Sequence, residues 1–173
     1  MARNIEIKVR IPAGHDVEAL LENEPDVRDA GVLRQYDVFF DSPRGRLKLR
    51  LEEGRGAQLI HYEREDAPVL RRSDYRIVEV EEGDSLLALL DAALGRIGEV
   101  RKKRRLFQRH HVRIHVDDVE ELGRFLELEA VVDDAHPEEE CAAAASDLLR
   151  RLGLHEVEPE RLAYLDLIAE RRS

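Results

Sequence analysis

The sequence predicts an α+β protein built on a closed, eight-stranded antiparallel β-barrel with helices packed outside. Two observations carry this expectation. Eight segments with strand character are separated by turn signals and short helical stretches, and in several of them charged residues alternate strictly with aliphatic ones. Alternation gives a strand one apolar and one polar face, and closing the sheet removes its edges and gives each strand an inside and an outside. At 173 residues the chain is long enough for one domain with a real core. Residues 1–173 are read as that single unit, including C-terminal helices over about 138–171.

Asn4 to Arg10 is the first strand, with Glu6, Lys8 and Arg10 alternating with Ile5, Ile7 and Val9. Pro12-Ala13-Gly14 breaks it, and Val17, Leu20 and Leu21 then fall at helical spacing between His15 and Asn23. Arg34 to Asp41 is aromatic and β-branched, and Ser42-Pro43-Arg44-Gly45 turns it into a third strand. In that strand, Arg46 to Glu52, three leucines alternate with Arg46, Lys48, Arg50 and Glu52. Gly54-Arg55-Gly56 leads into a fourth, Gln58 to Glu65, with Ile60, Tyr62 and Arg64 on one parity, and Asp66-Ala67-Pro68 ends it.

Tyr75 to Glu81 is the fifth strand, with apolar residues on both parities. Asp84 is the expected cap of a helix running to Leu94, whose apolar face is Leu86, Leu87, Leu90 and Leu94. Val100 to Phe107 and His110 to Asp117 pair as the sixth and seventh strands, the sixth holding the basic run Arg101 to Arg105. A turn or single helical turn over Asp117 to Gly123 enters the eighth, Phe125 to Val132, where Glu127 and Glu129 share a face. Glu138 to Leu152 is an Ala- and Leu-rich helix stopped at Gly153, and Glu160 to Glu170, after Pro159, is a final amphipathic helix.

Composition narrows the function classes. Lys and Arg number 28 against 38 Asp and Glu, and the resulting charge of −10 disfavours broad adhesion to nucleic acid or to an anionic membrane. Aromatics are 5% of the chain and Trp is absent, so stacking platforms for single-stranded nucleic acid are poorly supplied. The lone Cys141 excludes an intramolecular disulfide and a cysteine zinc cluster, and reads as core packing. With no apolar run of spanning length and no apolar signal region, the expectation is a soluble, cytoplasmic protein.

If the aliphatic faces pack outward, the inside collects Glu6, Lys8, Arg10, Arg46, Lys48, Arg50, Arg64, Lys102, Arg104, Arg113, Asp117, Glu127 and Glu129. Burying these charges dry would cost several kcal/mol per ion even when paired, so such an interior has to be wet and loaded. Its cations suit a polyanion, since the Arg fork matches phosphate oxygens, and its carboxylates suit Mg²⁺ or Mn²⁺. Alternation by itself equally admits the inverse, with leucines filling the barrel and the charges solvated. His111 and His115 share a parity and could approach a metal or phosphate, but they read first as hydrogen-bonded surface histidines, as does His110.

The residues resemble the CYTH family, or triphosphate tunnel metalloenzymes, which groups class IV adenylyl cyclases, thiamine triphosphatases and inorganic triphosphatases. The family's Glu-x-Glu-x-Lys signature is represented by Asn4-x-Glu6-x-Lys8, an amide replacing the first carboxylate. Asp37 to Asp41, Leu47-Lys48-Leu49-Arg50, Tyr62-x-Arg64, Ser73-x-Tyr75 and Val100-x-Lys102-x-Arg104 resemble its successive strands. Asp117-x-Val119-x-x-Leu122-Gly123-x-Phe125-x-Glu127-x-Glu129 resembles its acidic C-terminal signature closely, and Ala163-Tyr164-Leu165-Asp166-Leu167 resembles its Ser-Tyr-x-x-Leu helix, with Ala for Ser.

The resemblance implies a tunnel in which Glu6, Glu127 and Glu129, with Asp117 as a further ligand or supporting group, hold Mg²⁺ or Mn²⁺. Lys8, Lys48, Arg50, Arg64, Lys102 and Arg104 would grip a small-molecule triphosphate, with Glu6, Lys8 and Arg50 as the catalytic residues. The implied activity is a metal-dependent triphosphatase acting on tripolyphosphate, thiamine triphosphate or a nucleoside triphosphate. The runner-up is a class IV-type adenylyl cyclase, followed by a non-catalytic polyphosphate or nucleotide binder. Barrels of this type with an exposed helix face can dimerise, so a homodimer is left open.

Overall fold

The computed structural model describes residues 2–64 and 71–173, and the side chains of all of these except 2, 3, 64 and 71–73. Its strands are β1 (Ala2–Arg10), β2 (Arg28–Phe40), β3 (Arg46–Glu52), β4 (Gly56–Arg64), β5 (Arg71–Val80), β6 (Arg96–Arg109), β7 (Val112–Val119) and β8 (Gly123–Val131). Helices α1 (Val17–Asn23), α2 (Gly83–Leu94), α3 (Glu138–Arg151) and α4 (Tyr164–Arg172) lie between and after them. None of these helices is long and apolar enough to cross a membrane. The Asp66-Ala67-Pro68 break and the Arg64 side chain fall outside the described residues.

Every strand pairs antiparallel with two neighbours, closing a ring in the order β1-β5-β4-β3-β2-β6-β7-β8. The seam between β1 and β5 is short, running from Ala2 opposite Tyr75 to Glu6 opposite Arg71. Past it, the C-terminal segment lies along β1. Pro159 bridges to Val9, and the Glu160 N–H donates to the Lys8 carbonyl at 2.7 Å. The strand ring thus closes through a short seam, the segment covers part of β1 beyond it, and the tunnel is not fully closed.

The aliphatic faces point outward. Leu49 is fully buried, with Leu47 and Leu51 half-buried, against Leu86, Leu87 and Leu90 of α2. Ile5, Ile7 and Val9 join Ile114, Val116, Leu126 and Leu128 in a second core under α1 and α3, which contribute Val17, Leu21, Cys141, Ala145 and Leu148. Burying each leucine side chain of this kind contributes about 2 kcal/mol. A third cluster seats Tyr164 and Ile168 of α4 against Phe39, Val100 and Phe125 at one end of the barrel.

Several boundaries differ from the sequence expectation for identifiable reasons. β2 begins at Arg28, earlier than expected, because a register shift between Asp29 and Gly31 absorbs the glycine, at φ 99°, within the ladder, and β6 begins early at Arg96, which pairs with Phe40 past a second register shift at Phe39 and Phe40. The cap position of α2 is Glu82 rather than Asp84, which sits in its first turn, and Leu94 is 45% exposed rather than part of the apolar face. β7 continues through the expected turn as far as Val119. The last helix starts at Tyr164 rather than near Glu160, because the residues before it are extended along β1.

Candidate active site

Two strands present the same cationic unit. Lys48-x-Arg50 on β3 and Lys102-x-Arg104 on β6 each place a Lys and an Arg on the inner face, because strand side chains repeat at every second residue. In each case the register sets an aspartate opposite the arginine: Asp37 of β2 faces Arg50, and Asp117 of β7 faces Arg104. Arg50 donates to both Asp37 oxygens at 2.7 and 2.8 Å, and Lys48 Nζ adds a contact at 2.7 Å. Arg104 does the same to Asp117 at 2.7 Å twice, with Lys102 Nζ at 3.1 Å and the Tyr164 hydroxyl donating at 3.1 Å.

These clamps set the electrostatics. Burial pushes both aspartates up, but the facing cations outweigh it and hold Asp37 and Asp117 far below the usual carboxylate range. The lysines carry the opposite strain. Burial, and then Arg50 beside it, push Lys48 down to about 8 despite Asp37, and Lys102 is lowered in the same way by burial and Arg104. Cations crowded this way are poised to gain from an arriving polyanion.

The carboxylates lie on the neighbouring wall. On β8, Glu127 stands between Lys8 of β1 and His115 of β7, and Glu129 between Glu6 and Arg113 of the same two strands. Glu127 Oε2 accepts from Arg104 at 2.9 Å, and Glu129 Oε2 pairs with Arg113 at 3.1 Å. Burial raises Glu127, yet Arg104 and Lys102 bring it down to about 2. His115, Glu127 and Glu129 offer ligand atoms all within 4.8 Å of one another. Burial and the nearby Arg104 lower His115 to about 4, so its ring is neutral at physiological pH. Its Nδ1 is buried without a hydrogen-bond partner, 3.7 Å from Glu129 Oε1. An orphaned imidazole nitrogen beside two carboxylates fits a divalent cation.

Glu6, Lys8, Lys48, Arg50, Lys102, Arg104, Glu127 and Glu129 line one cavity of about 310 Å³, and so do Asn4 and Arg113. Asp117 sits behind this wall, fully buried, its oxygens engaged by Arg104, Lys102 and Tyr164. Arg10 and Arg46, placed inside by parity, are elsewhere. Arg10 donates to the Leu122 carbonyl at 2.6 Å and covers the Phe125 ring, while Arg46 makes a two-pronged contact with Asp166 of α4 at 2.7 and 3.2 Å. Both lie toward the barrel end, where the chain packs against protein instead of the cavity.

The histidine expectation needs correcting. His115 is only 4% exposed and lines the cavity, while His111 lies in the turn before β7 and stacks on His136 at 4.1 Å. The signal for His115 was its shared parity with Arg113 and Asp117. Tyr164 was also missed as a wall residue. It lines the cavity with Ala163, lies under Lys8 Nζ at 4.4 Å from its ring centre, and follows Leu162, whose carbonyl accepts from Lys8. The basic run is divided by the strand pleat, with Lys102 and Arg104 inside, Arg101 over the Tyr36 ring and Arg105 paired with Glu22 and Asp29.

A family model for the CYTH domain matches residues 2–164. The chain belongs to the CYTH family. A 68-residue stretch is 31% identical to a Methanocaldococcus jannaschii protein named "Putative adenylate cyclase MJ0240", a match covering 39% of each chain. Among solved structures, the PH1012 protein of Pyrococcus horikoshii superposes with a TM-score of 0.77 at 26% identity, over 95% of this chain and 98% of that one. A Vibrio parahaemolyticus structure superposes at 0.78 with 19% identity, over 96% and 97%, and shares the fold. The CYTH residues quoted from the sequence on β1, β3, β6 and β8 are thus brought to one cavity, with Asp117 behind its wall.

Proposed function

We propose that this CYTH protein is a divalent-metal-dependent phosphohydrolase acting on a linear triphosphate. The observation that carries the reading is a single cavity in which two aspartate-clamped Lys-x-Arg units face a carboxylate wall. Lys8, Lys48, Arg50, Lys102 and Arg104 bind the non-bridging phosphate oxygens, the Arg forks orienting them and the Lys groups neutralising charge. Glu6, Glu127 and Glu129 hold the ion. A divalent ion held there would supply Lewis-acid polarisation of a phosphoryl oxygen, favouring attack by water. Arg50 and Lys8 meet the charge that develops between attacked phosphorus and departing phosphate. Asp117 we assign to holding Lys102 and Arg104 rather than the ion, since its oxygens are engaged by those cations and Tyr164.

A second reading is cyclisation of ATP. Its support is the adenylate cyclase name of the M. jannaschii relative and a less polar wall, where Ile60 faces Ile77 and Tyr62 faces Tyr75, that could take a base. The protein is tested with tripolyphosphate, thiamine triphosphate and ATP, with and without Mg²⁺ or Mn²⁺, following phosphate, pyrophosphate and cyclic AMP. Metal-dependent phosphate release, lost in Glu127→Gln, is the expected result. Cyclic AMP with pyrophosphate would transfer the assignment to the cyclase, and binding without any product would leave a triphosphate sensor.

A further inference from the structure

We propose that His115 supplies a nitrogen ligand to the ion in this tunnel, which makes the site selective for a transition-metal cation such as Mn²⁺ or Co²⁺ over Mg²⁺. The inference rests on the metal-binding reading of the carboxylate wall and adds to it the identity of one ligand and the class of ion.

The geometry argues against a merely structural histidine. A buried imidazole normally satisfies its ring nitrogens, and leaving one unpaired costs free energy. His115 has little exposure, yet its Nδ1 meets no donor or acceptor at hydrogen-bond distance and points toward the Glu129 carboxylate, 3.7 Å away. Cross-strand pairing places His115 directly opposite Glu127, with Glu129 two residues further along β8. The three ligand atoms span no more than 4.8 Å, a spread that bonds of roughly 2.0–2.2 Å can draw together with small side-chain rotations.

Arg104 takes Glu127 through Oε2 and Arg113 takes Glu129 through Oε2, while the Glu129 Oε1 is the oxygen 3.7 Å from His115 Nδ1. Imidazole is a better ligand for Mn²⁺, Co²⁺ and Zn²⁺ than for Mg²⁺, which prefers all-oxygen, octahedral, partly hydrated sites. One nitrogen among carboxylates therefore moves preference along the divalent series without requiring thiolates.

The test measures binding, not turnover. Mn²⁺ bound to the substrate-free protein should show ¹⁴N modulation in pulsed electron paramagnetic resonance, and Mn²⁺ and Co²⁺ should bind at least tenfold more tightly than Mg²⁺ by calorimetry. His115→Asp should abolish the nitrogen signal and bring Mg²⁺ to within about threefold of Mn²⁺, and His115→Asn should also lose the signal. If neither variant folds, the unsubstituted protein prepared with ¹⁵N-labelled histidine supplies the same evidence, since the ¹⁴N modulation should then be replaced by ¹⁵N coupling. Tight Mn²⁺ binding that is sensitive to Glu127→Gln but shows no ¹⁴N coupling would overturn the proposal while leaving the metal site intact. Failure to bind any divalent ion, with or without tripolyphosphate, would remove the metal reading itself and this proposal with it.

Discussion

Asp117 and Asp37 occupy equivalent places, each opposite an arginine and diagonal to a lysine, and this defines what their loss should do. Asp117→Asn strips the charge that Arg104 and Lys102 lean on, and breaking a buried pair of this kind costs about 3–5 kcal/mol. Urea unfolding should show a loss of that order, and tripolyphosphate affinity measured without metal should fall as well. A metal ligand would behave differently, because metal affinity would drop while metal-free phosphate binding held. Lys48 allows a second expectation. Its charge is half lost at about pH 8, so in the absence of metal tripolyphosphate binding should weaken as pH rises from about 7 to 9. In Lys48→Arg that weakening should be largely removed, which calorimetry across the pH series can read. That Lys48 and Arg50 share a face was legible from alternation, while that face's inward direction came from the family resemblance. The role of Asp117 was not legible, because it depends on the register between β6 and β7, which a single strand's pattern does not contain.

At the scale of elements, the strands were easier to read than their ends. A leucine on every second residue of β3 fixes its outer face, and the packing of α2 on that face follows from Leu86, Leu87 and Leu90. The segment before α4 carries no comparable signal, since its extended path is imposed by β1, whose seam with β5 ends at Glu6. That path explains why a helix expected from Glu160 begins at Tyr164. The cap residue Ala163 has extended backbone, φ −72° and ψ 157°, and lacks an oxygen to accept from the first turn. Asp166 makes the reciprocal contact by accepting from the Ala163 N–H at 3.3 Å. Ala163→Ser restores the missing half of a capping box and should stabilise the protein by about 1 kcal/mol, or about 2–4 °C in melting temperature for a chain of this size. Calorimetry on the two proteins decides it. α4 is also pressed close to β6, where a Cβ on Gly98 would come within 2.4 Å of Leu165 Cδ1, so the small residue there lets Leu165 pack directly on the strand.

For the whole molecule, the interior charges are a liability that the clamps turn into pH-dependent stability. Asp37, Asp117, Glu127 and Glu129 all lie below their ordinary values of 3.8 and 4.5, burial opposing the shift and the facing cations causing it. A carboxyl that is more acidic in the fold than in the unfolded chain contributes stability in full above its unfolded value. That contribution is lost as pH falls toward the folded one, because the unfolded chain binds protons first. The window therefore opens near pH 4.5 and runs down through pH 2, where Glu127 titrates. Protonation would leave Arg50, Arg104, Lys48 and Lys102 lining one cavity without their counter-charges, so the loss should be steep and cooperative. Urea midpoints should decline between pH 7 and 5, as the unfolded chain protonates His115, which the fold holds neutral with its value lowered to about 4, and should fall more sharply between 4.5 and 2.5 as the carboxylates join. Asp117→Asn should show a shallower fall over that window from an already lower starting point, since one of the groups that titrates there is gone. A parallel fall in both proteins would mean that surface carboxylates, not the tunnel, govern acid unfolding.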